Sequence, residues 1–417
     1  MSILIKDVQL EGATTSIYIE DNRIVEIGRK MEADTVLDGR GKAAVPGFVN
    51  THTHAAMALL RSYADDMRLQ DWLEKAIWPR EAKMEPEDVY WGTKLACLEM
   101  IRGGTTCFND MYFHMDRAAQ AVKEMGLRAV LSEGFIDHRD SGVGQELLKK
   151  HRTMIKKIEA IGTDRIRPAL GPHTMYTVSR ESLQALREMS DERGYLIHFH
   201  LSETRREVED CMIEQGTRPV EYLDSIGFLS RQLLAAHCCW LEPQEIDLLA
   251  RAGVRVSHCP VSNMKLAAGA MPYKAMREAG VLTSLGTDGA ASNNNLDMLE
   301  SMKFAALLQK FTSNDPTVAT AAQVFEMGTL GGARALGIDA GLLAENRLAD
   351  LALIDLKRPE LNPLHDLISA LVYSAHGNVV DTVICDGQVL MKGRKVPGEA
   401  EIVRKAADIG RDLVARE

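Results

Sequence analysis

Two histidines one residue apart, His52 and His54, close the stretch Pro46-Gly47-Phe48-Val49-Asn50-Thr51-His52-Thr53-His54. Alternate side chains of a strand share a face, so an apolar run ending here points both imidazoles the same way, where one metal ion could sit between them. Polar groups of suitable chemistry recur downstream, each close behind a short apolar run: His173, His200, His237, His258 and Asp288. In Leu196-Ile197-His198-Phe199-His200 both histidines again share a face, and alternation leaves open which is the ligand. Asp288, in Gly286-Thr287-Asp288-Gly289, lies between glycines that allow close backbone approach. It suits a metal ligand or a base, and a second reading makes it the cap of a helix beginning near Asn293. Three imidazoles and one carboxylate form a borderline-soft donor set that suits Zn²⁺ and would also bind Fe²⁺, Mn²⁺, Co²⁺ or Ni²⁺.

Residues this far apart in the chain need a scaffold that returns them to one rim. Between about 46 and 345, apolar runs alternate with helix-like segments, and the runs at 43–49, 105–109, 129–135, 166–170, 195–200, 233–237, 254–258 and 281–286 read as strands. Helical segments separate most of them, for example 86–102, stopped by Gly103-Gly104, and 181–193, stopped by Gly194. Strand and helix in eightfold alternation predict a (β/α)₈ TIM-like barrel, whose chemistry lies at the C-terminal ends of the strands. That is where the histidines and Asp288 fall. The two chain ends read differently. Residues 1–45 and 346–417 carry short β-rich runs and turns such as Asp21-Asn22, Asp38-Gly39 and Asp386-Gly387. We expect them to build one small β-sandwich domain beside the barrel, its second part ending in a C-terminal helix.

Composition narrows the partners. A chain of 417 residues with 46% hydrophobic and 26% charged residues has room for a barrel plus a smaller domain. Its net charge of -10 argues against nucleic acid or an anionic membrane as the main partner. No apolar run approaches a membrane span, and Met1-Ser2-Ile3-Leu4-Ile5-Lys6-Asp7 lacks the features of a signal peptide. Seven cysteines without Cys-x-x-Cys spacing predict reduced thiols in a cytoplasm, with Cys238-Cys239 as buried packing.

The first stretch, together with His200-Leu201-Ser202-Glu203-Thr204, Ser257-His258-Cys259-Pro260-Val261-Ser262-Asn263 and Gly286-Thr287-Asp288-Gly289, resembles the amidohydrolase superfamily of metal-dependent hydrolases. More narrowly, the chain resembles the branch of 5′-methylthioadenosine, S-adenosylhomocysteine and 5′-deoxyadenosine deaminases. Stretches from Asp71-Trp72-Leu73 through Trp78-Pro79-Arg80-Glu81, Gly171-Pro172-His173 and Gly331-Gly332-Ala333-Arg334 also match. The resemblance implies that His52, His54, His200 and Asp288 hold one divalent metal, with His200 rather than His198 as the ligand. Two-metal members usually bridge their ions with a modified lysine at the end of the fourth strand, and Pro168-Ala169-Leu170-Gly171-Pro172-His173 offers none.

The same resemblance implies a reaction. A cation favours ionisation of a bound water near neutral pH. Asp288 would take its proton, His237 would orient it, and Glu203 would protonate N1 of an adenine as C6 is attacked and ammonia leaves. Read from the residues alone, Glu203 could instead cap the helix that begins near Thr204. Glu81 is implied on the ribose hydroxyls and His173 near the base or sugar, while His258 reads as packing. Some relatives carry an arginine at the end of the third strand, where this chain has Glu133; Arg139 and Arg152 are nearby candidates for the 5′ substituent. The expected partner is a small nucleoside, and self-association into a homo-oligomer (dimer or tetramer) is expected. The alternatives are a deaminase of a free purine, pterin or triazine ring, and a metal-binding scaffold without turnover.

Overall fold

The computed structural model describes residues 1–29 and 31–417. Five strands precede the barrel: β1 (Ser2–Leu10), β2 (Ala13–Glu20), β3 (Arg23–Ile27), β4 (Thr35–Asp38) and β5 (Lys42–Pro46). Eight follow: β6 (Phe48–Thr53), β7 (Thr105–Tyr112), β8 (Arg128–Phe135), β9 (Ile166–Pro172), β10 (Ile197–Leu201), β11 (Leu233–His237), β12 (Arg255–His258) and β13 (Leu282–Leu285). Near the C-terminus lie β14 (Leu351–Asp355), β15 (Val380–Cys385) and β16 (Gln388–Met391).

Strands β6 to β13 pair in sequence order, all parallel, with helices between them, which is the expected barrel. Its seam is tied by Thr51, whose hydroxyl lies 2.7 Å from Ser257 Oγ, 2.9 Å from Ser284 Oγ and 2.9 Å from the Leu285 carbonyl. The strands from both chain ends form a second, mixed sheet in the order β16-β15-β14-β5-β1-β2-β3, with β4 also paired to β1. It has its own apolar core, including Ile3, Ile5, Ile17, Ile19, Leu351 and Leu353. Burial of each such side chain contributes about 1.5–3 kcal/mol.

One element differs from the sequence reading. The apolar run 43–49 is not one barrel strand: it splits at Pro46-Gly47 into β5 of the terminal sheet and β6 of the barrel. Gly47 makes the switch possible, because a Cβ there would stand 2.2 Å from Thr106 Oγ1, while its N–H donates to the Asp350 carbonyl at 3.0 Å. Hydrophobicity marks both halves as buried but says nothing of which sheet each joins. The two sheets are clamped by Arg128 of β8, whose Nε donates to Asp350 Oδ2 at 2.6 Å and whose Nη2 donates to Asp386 Oδ1. The C-terminal helix Glu399–Ala415 returns to the barrel, and Arg416 Nη2 reaches Asp88 Oδ1 at 2.9 Å.

All seven cysteines are unpaired and buried. Among the described residues no helix is long and apolar enough to cross a membrane.

Away from the site, burial of His151 couples fold stability to pH. His151, buried on the helix Ser141–Glu159, donates Nε2–H to the Glu133 carbonyl at 2.8 Å and sits edge-on to Phe135. Burial pushes its imidazole down to about 4. The unfolded chain therefore binds this proton more tightly than the folded one. The neutral ring contributes in full above the ordinary value near 6.5, and that contribution is lost as pH falls toward 4, amounting to ~3 kcal/mol. His151→Gln, which retains an N–H donor, is expected to flatten that part of the pH dependence of urea unfolding.

Candidate metal centre and active-site cleft

Alternation along β10 and from β6 into His54 turns His52, His54, His198 and His200 to the inside of the barrel, and hydrogen bonds to their far sides set the tautomers. His54 Nδ1 lies 2.6 Å from the Met111 carbonyl and His200 Nδ1 lies 2.9 Å from the His173 carbonyl. A carbonyl only accepts, so each Nδ1 carries the proton and each Nε2 keeps its lone pair. His198 proves to sit behind the first layer. Its Nε2 is 2.6 Å from His52 Nδ1 and its Nδ1 is 3.3 Å from Ser132 Oγ, so it braces His52 and does not join the cluster. That leaves His52 Nε2 buried without a hydrogen-bond partner.

Asp288 faces these nitrogens. Its Oδ1 is 3.3 Å from both His52 Nε2 and His54 Nε2, and His200 Nε2 is 3.3 Å from His54 Nε2. Oδ2 is held by the hydroxyls of Ser262 at 2.6 Å and Ser292 at 2.8 Å, and Gly289 N–H donates to Oδ1 at 2.8 Å. Asp288 caps no helix: the next long one, Met298–Ser313, is capped by Asp297. Three Nε2 lone pairs and a carboxylate oxygen within a few ångströms, one of the nitrogens buried and otherwise unused, fit a single divalent cation.

The electrostatics agree with that fit. Burial drives His52 down to about 4 and His200 well below the ordinary histidine range, so both are neutral donors. Burial acts upward on Asp288, yet the surrounding imidazoles hold its carboxyl well below the usual range. For His237, burial is outweighed by the Glu203 and Asp288 carboxylates, which keep the ring above its ordinary value. That negative field also favours a cation. The backbone is strained at the strand mouths: Ser202, His237 and Asp288 take φ of +47°, +70° and +65°. Such conformations cost about 1–3 kcal/mol each and gather at functional sites.

A cleft of about 730 Å³, its open mouth included, lies over the cluster. Glu81, His173, Glu203 and His237 all line it together with His54, His200 and Asp288. Glu203 is buried, and burial, then the charge of Asp288, raises its carboxyl above the ordinary range against the pull of His237. It does not cap the helix Arg205–Gln215. Thr204 does, its side chain accepting from Glu207 N–H, while the Glu207 carboxylate takes the N–H groups of Ser202 and Glu203 at 2.8 Å. His237 Nδ1 donates to Asn263 Oδ1 at 2.8 Å. Glu81, half-buried, follows a π-helical turn, Leu73–Ile77, and shares a hydrogen bond with Tyr112. Met57, Trp72, Leu73, Trp78, Phe113 and Ile136 give the rest of the wall a large apolar share, beside the hydroxyls of Thr174, Tyr176 and Ser292.

Arg139 and Arg152 do not line this cleft: both are exposed, and Arg139 pairs with Glu214 at 2.6 Å. Glu133 accepts from the N–H groups of His114 and Met115, so it caps the helix Met115–Met125. His258 is buried with its Nε2 3.4 Å from Gln309 Nε2 and lies off the cleft. The reading from sequence missed Tyr112, Ser292 and the supporting roles of Ser262, Asn263 and His198; Ser262 and Asn263 stand inside a matched motif, and His198 beside another.

A parallel barrel that gathers three imidazoles and a carboxylate at its C-terminal rim is the plan of a metal-dependent hydrolase. The chain belongs to the amidohydrolase family, whose sequence model matches residues 43–390. A 5-methylthioadenosine/S-adenosylhomocysteine deaminase of Archaeoglobus fulgidus is 50% identical over 403 residues, covering 95% of this chain and 95% of its own. A 5′-deoxyadenosine deaminase of Methanothermobacter thermautotrophicus is 51% identical over 393 residues, covering 94% of this chain and 91% of its own. Among solved structures, an adenosine deaminase from Xanthomonas campestris with bound zinc superimposes with a TM-score of 0.93 at 35% identity, over 100% of this chain and 98% of that one.

Proposed function

We propose that this protein hydrolyses the 6-amino group of an adenosine modified at the 5′ position, giving the inosine analogue and ammonia. 5′-Deoxyadenosine, 5′-methylthioadenosine and S-adenosylhomocysteine are the substrates in view. The observation that carries the reading is the convergence of His52, His54, His200 and Asp288 beside a buried Glu203 that lines the same cleft. Relatives of 50% and 51% identity bearing these activities support it over a free-ring deaminase.

His52, His54, His200 and Asp288 would hold one divalent ion, Zn²⁺ first, and such an ion lowers the pKa of water and polarises it as a Lewis acid. Asp288 stays ionised and accepts a proton from the attacking water. His237, fixed by Asn263, orients that water. Glu203, a carboxyl held above its ordinary range, donates to N1 and recovers a proton from the new C6 hydroxyl, while the proton that Asp288 took from water goes to the departing ammonia. Glu81 accepts from the ribose hydroxyls, steadied by Tyr112, and His173 stands against the base or sugar. The apolar share of the wall suits a neutral 5′ group. A cytoplasmic setting and self-association belong to the same reading.

The test is ammonia release, with the accompanying adenosine-to-inosine absorbance change, on the three nucleosides and adenosine. Metal-loaded, folded protein inert on all four would overturn the proposal. Glu81→Gln is expected to lower kcat/KM for nucleosides by about one to two orders of magnitude, the worth of a charge-assisted hydrogen bond of ~1.5–3 kcal/mol. Equal turnover with and without Glu81 would favour a free base as substrate.

A further inference from the structure

Six of the seven cysteines have no place in the site described above, but Cys259 adjoins it. It ends the turn out of β12, stands at the N-cap of the helix Pro260–Lys265 and is fully buried. Its sulfur and one ring nitrogen each from His52 and His237 lie within 4.8 Å of one another. All three groups have donor capacity to spare. His52 gives Nδ1 to His198 and leaves Nε2 without a partner, and His237 gives Nδ1 to Asn263. The thiol makes one long contact, 3.8 Å to the Ser257 carbonyl.

We propose that His52, His237 and Cys259 form a second, softer cation site that takes a thiophilic divalent ion such as Cd²⁺, and that its occupation excludes the ion held by His52, His54, His200 and Asp288. Exclusion follows from the shared ligand: His52 has one free nitrogen, and both sites need it. Selectivity follows from sulfur, which prefers soft cations to the oxygen and nitrogen donors of the first site. On binding, the Cys259 S–H bond breaks, the sulfur–metal bond forms and one proton leaves to solvent; nothing is oxidised or reduced. Burial first, and then the Asp288 and Glu203 carboxylates, hold the Cys259 thiol protonated, so the arriving dication must displace that proton. Thiophilic ions are then displacing inhibitors, trapping His52 in an arrangement from which the first site cannot refill.

The enzyme loaded with one equivalent of Zn²⁺ is titrated with CdCl₂ while ultraviolet cadmium–thiolate absorption, proton release and turnover are followed together. One thiolate band and one proton per chain should grow in step with loss of turnover and with zinc release. Cys259→Ser should abolish the band and raise the Cd²⁺ midpoint by roughly tenfold or more; Cys239→Ser should keep both. Turnover in cadmium-free buffer shows that each variant is folded. A band of full strength in Cys259→Ser, or inhibition of the unsubstituted protein with no thiolate band, overturns the proposal. Should Cys259→Ser not fold, the ¹¹³Cd resonance of the unsubstituted protein decides: a one-sulfur shift supports the site, and an all nitrogen and oxygen shift refutes it. Neither result touches the deamination reading, which is tested without cadmium.

Discussion

Glu203→Gln lowers kcat on 5′-deoxyadenosine by about two to four orders of magnitude and leaves the metal content of the protein unchanged. In energy this is a loss of roughly 3–5 kcal/mol of transition-state stabilisation. The amide has nearly the shape of the carboxyl but cannot carry a proton from one site to another. Glu203 ligates nothing in the cluster, and His237 Nδ1 lies 3.9 Å from its Oε1. Loss therefore falls on kcat, with KM little altered. Steady-state kinetics beside metal analysis checks this, and a variant with kcat within a factor of about ten of the parent would remove Glu203 from the proton path.

Asp288→Asn has the larger reach, because one side chain is proposed both to hold the ion and to take the proton of the attacking water. Turnover is expected to fall by at least about three orders of magnitude, and metal occupancy falls with it. The fold should survive. Ser262 and Ser292 donate to Oδ2 in the parent and can turn their hydroxyls to accept from an amide. Combined with Glu203→Gln, the loss should be smaller than the product of the two single effects, since the two proton transfers belong to one concerted addition of water. A multiplicative double variant, or an Asp288→Asn protein that keeps its metal and its rate, contradicts these roles.

The barrel was legible because its strands are apolar runs ending in residues with chemistry, and strand mouths are where such residues must converge. His52 and His54 could be paired from a two-residue period alone. The same period could not separate His198 from His200, since it fixes a face but not a depth, and the depth decides that one reaches the cluster and the other braces His52. Pro46-Gly47 could not be placed because sheet membership depends on the Thr106 side chain, 59 residues downstream in sequence and against the glycine in space. The cap reading of Glu203 was decidable in principle: Thr204-Arg205-Arg206-Glu207 has Ser/Thr-x-x-Glu capping spacing, which places the cap at Thr204 and frees Glu203. Ser262 and Asn263 reach Asp288 and His237 across segments 26 residues apart, and Ser292 reaches Asp288 from four residues further on; a matched motif shows that such residues are present but not which partner each one holds.

Stripping the protein of metal with a chelator and adding Zn²⁺ back in steps, with ammonia release from 5′-deoxyadenosine as the readout, tests the centre most directly. Activity should be near zero without metal, climb in proportion to added ion and level off at one equivalent per chain. Full turnover by metal-free protein, or a rise that continues to two equivalents, would contradict a single cation held by His52, His54, His200 and Asp288.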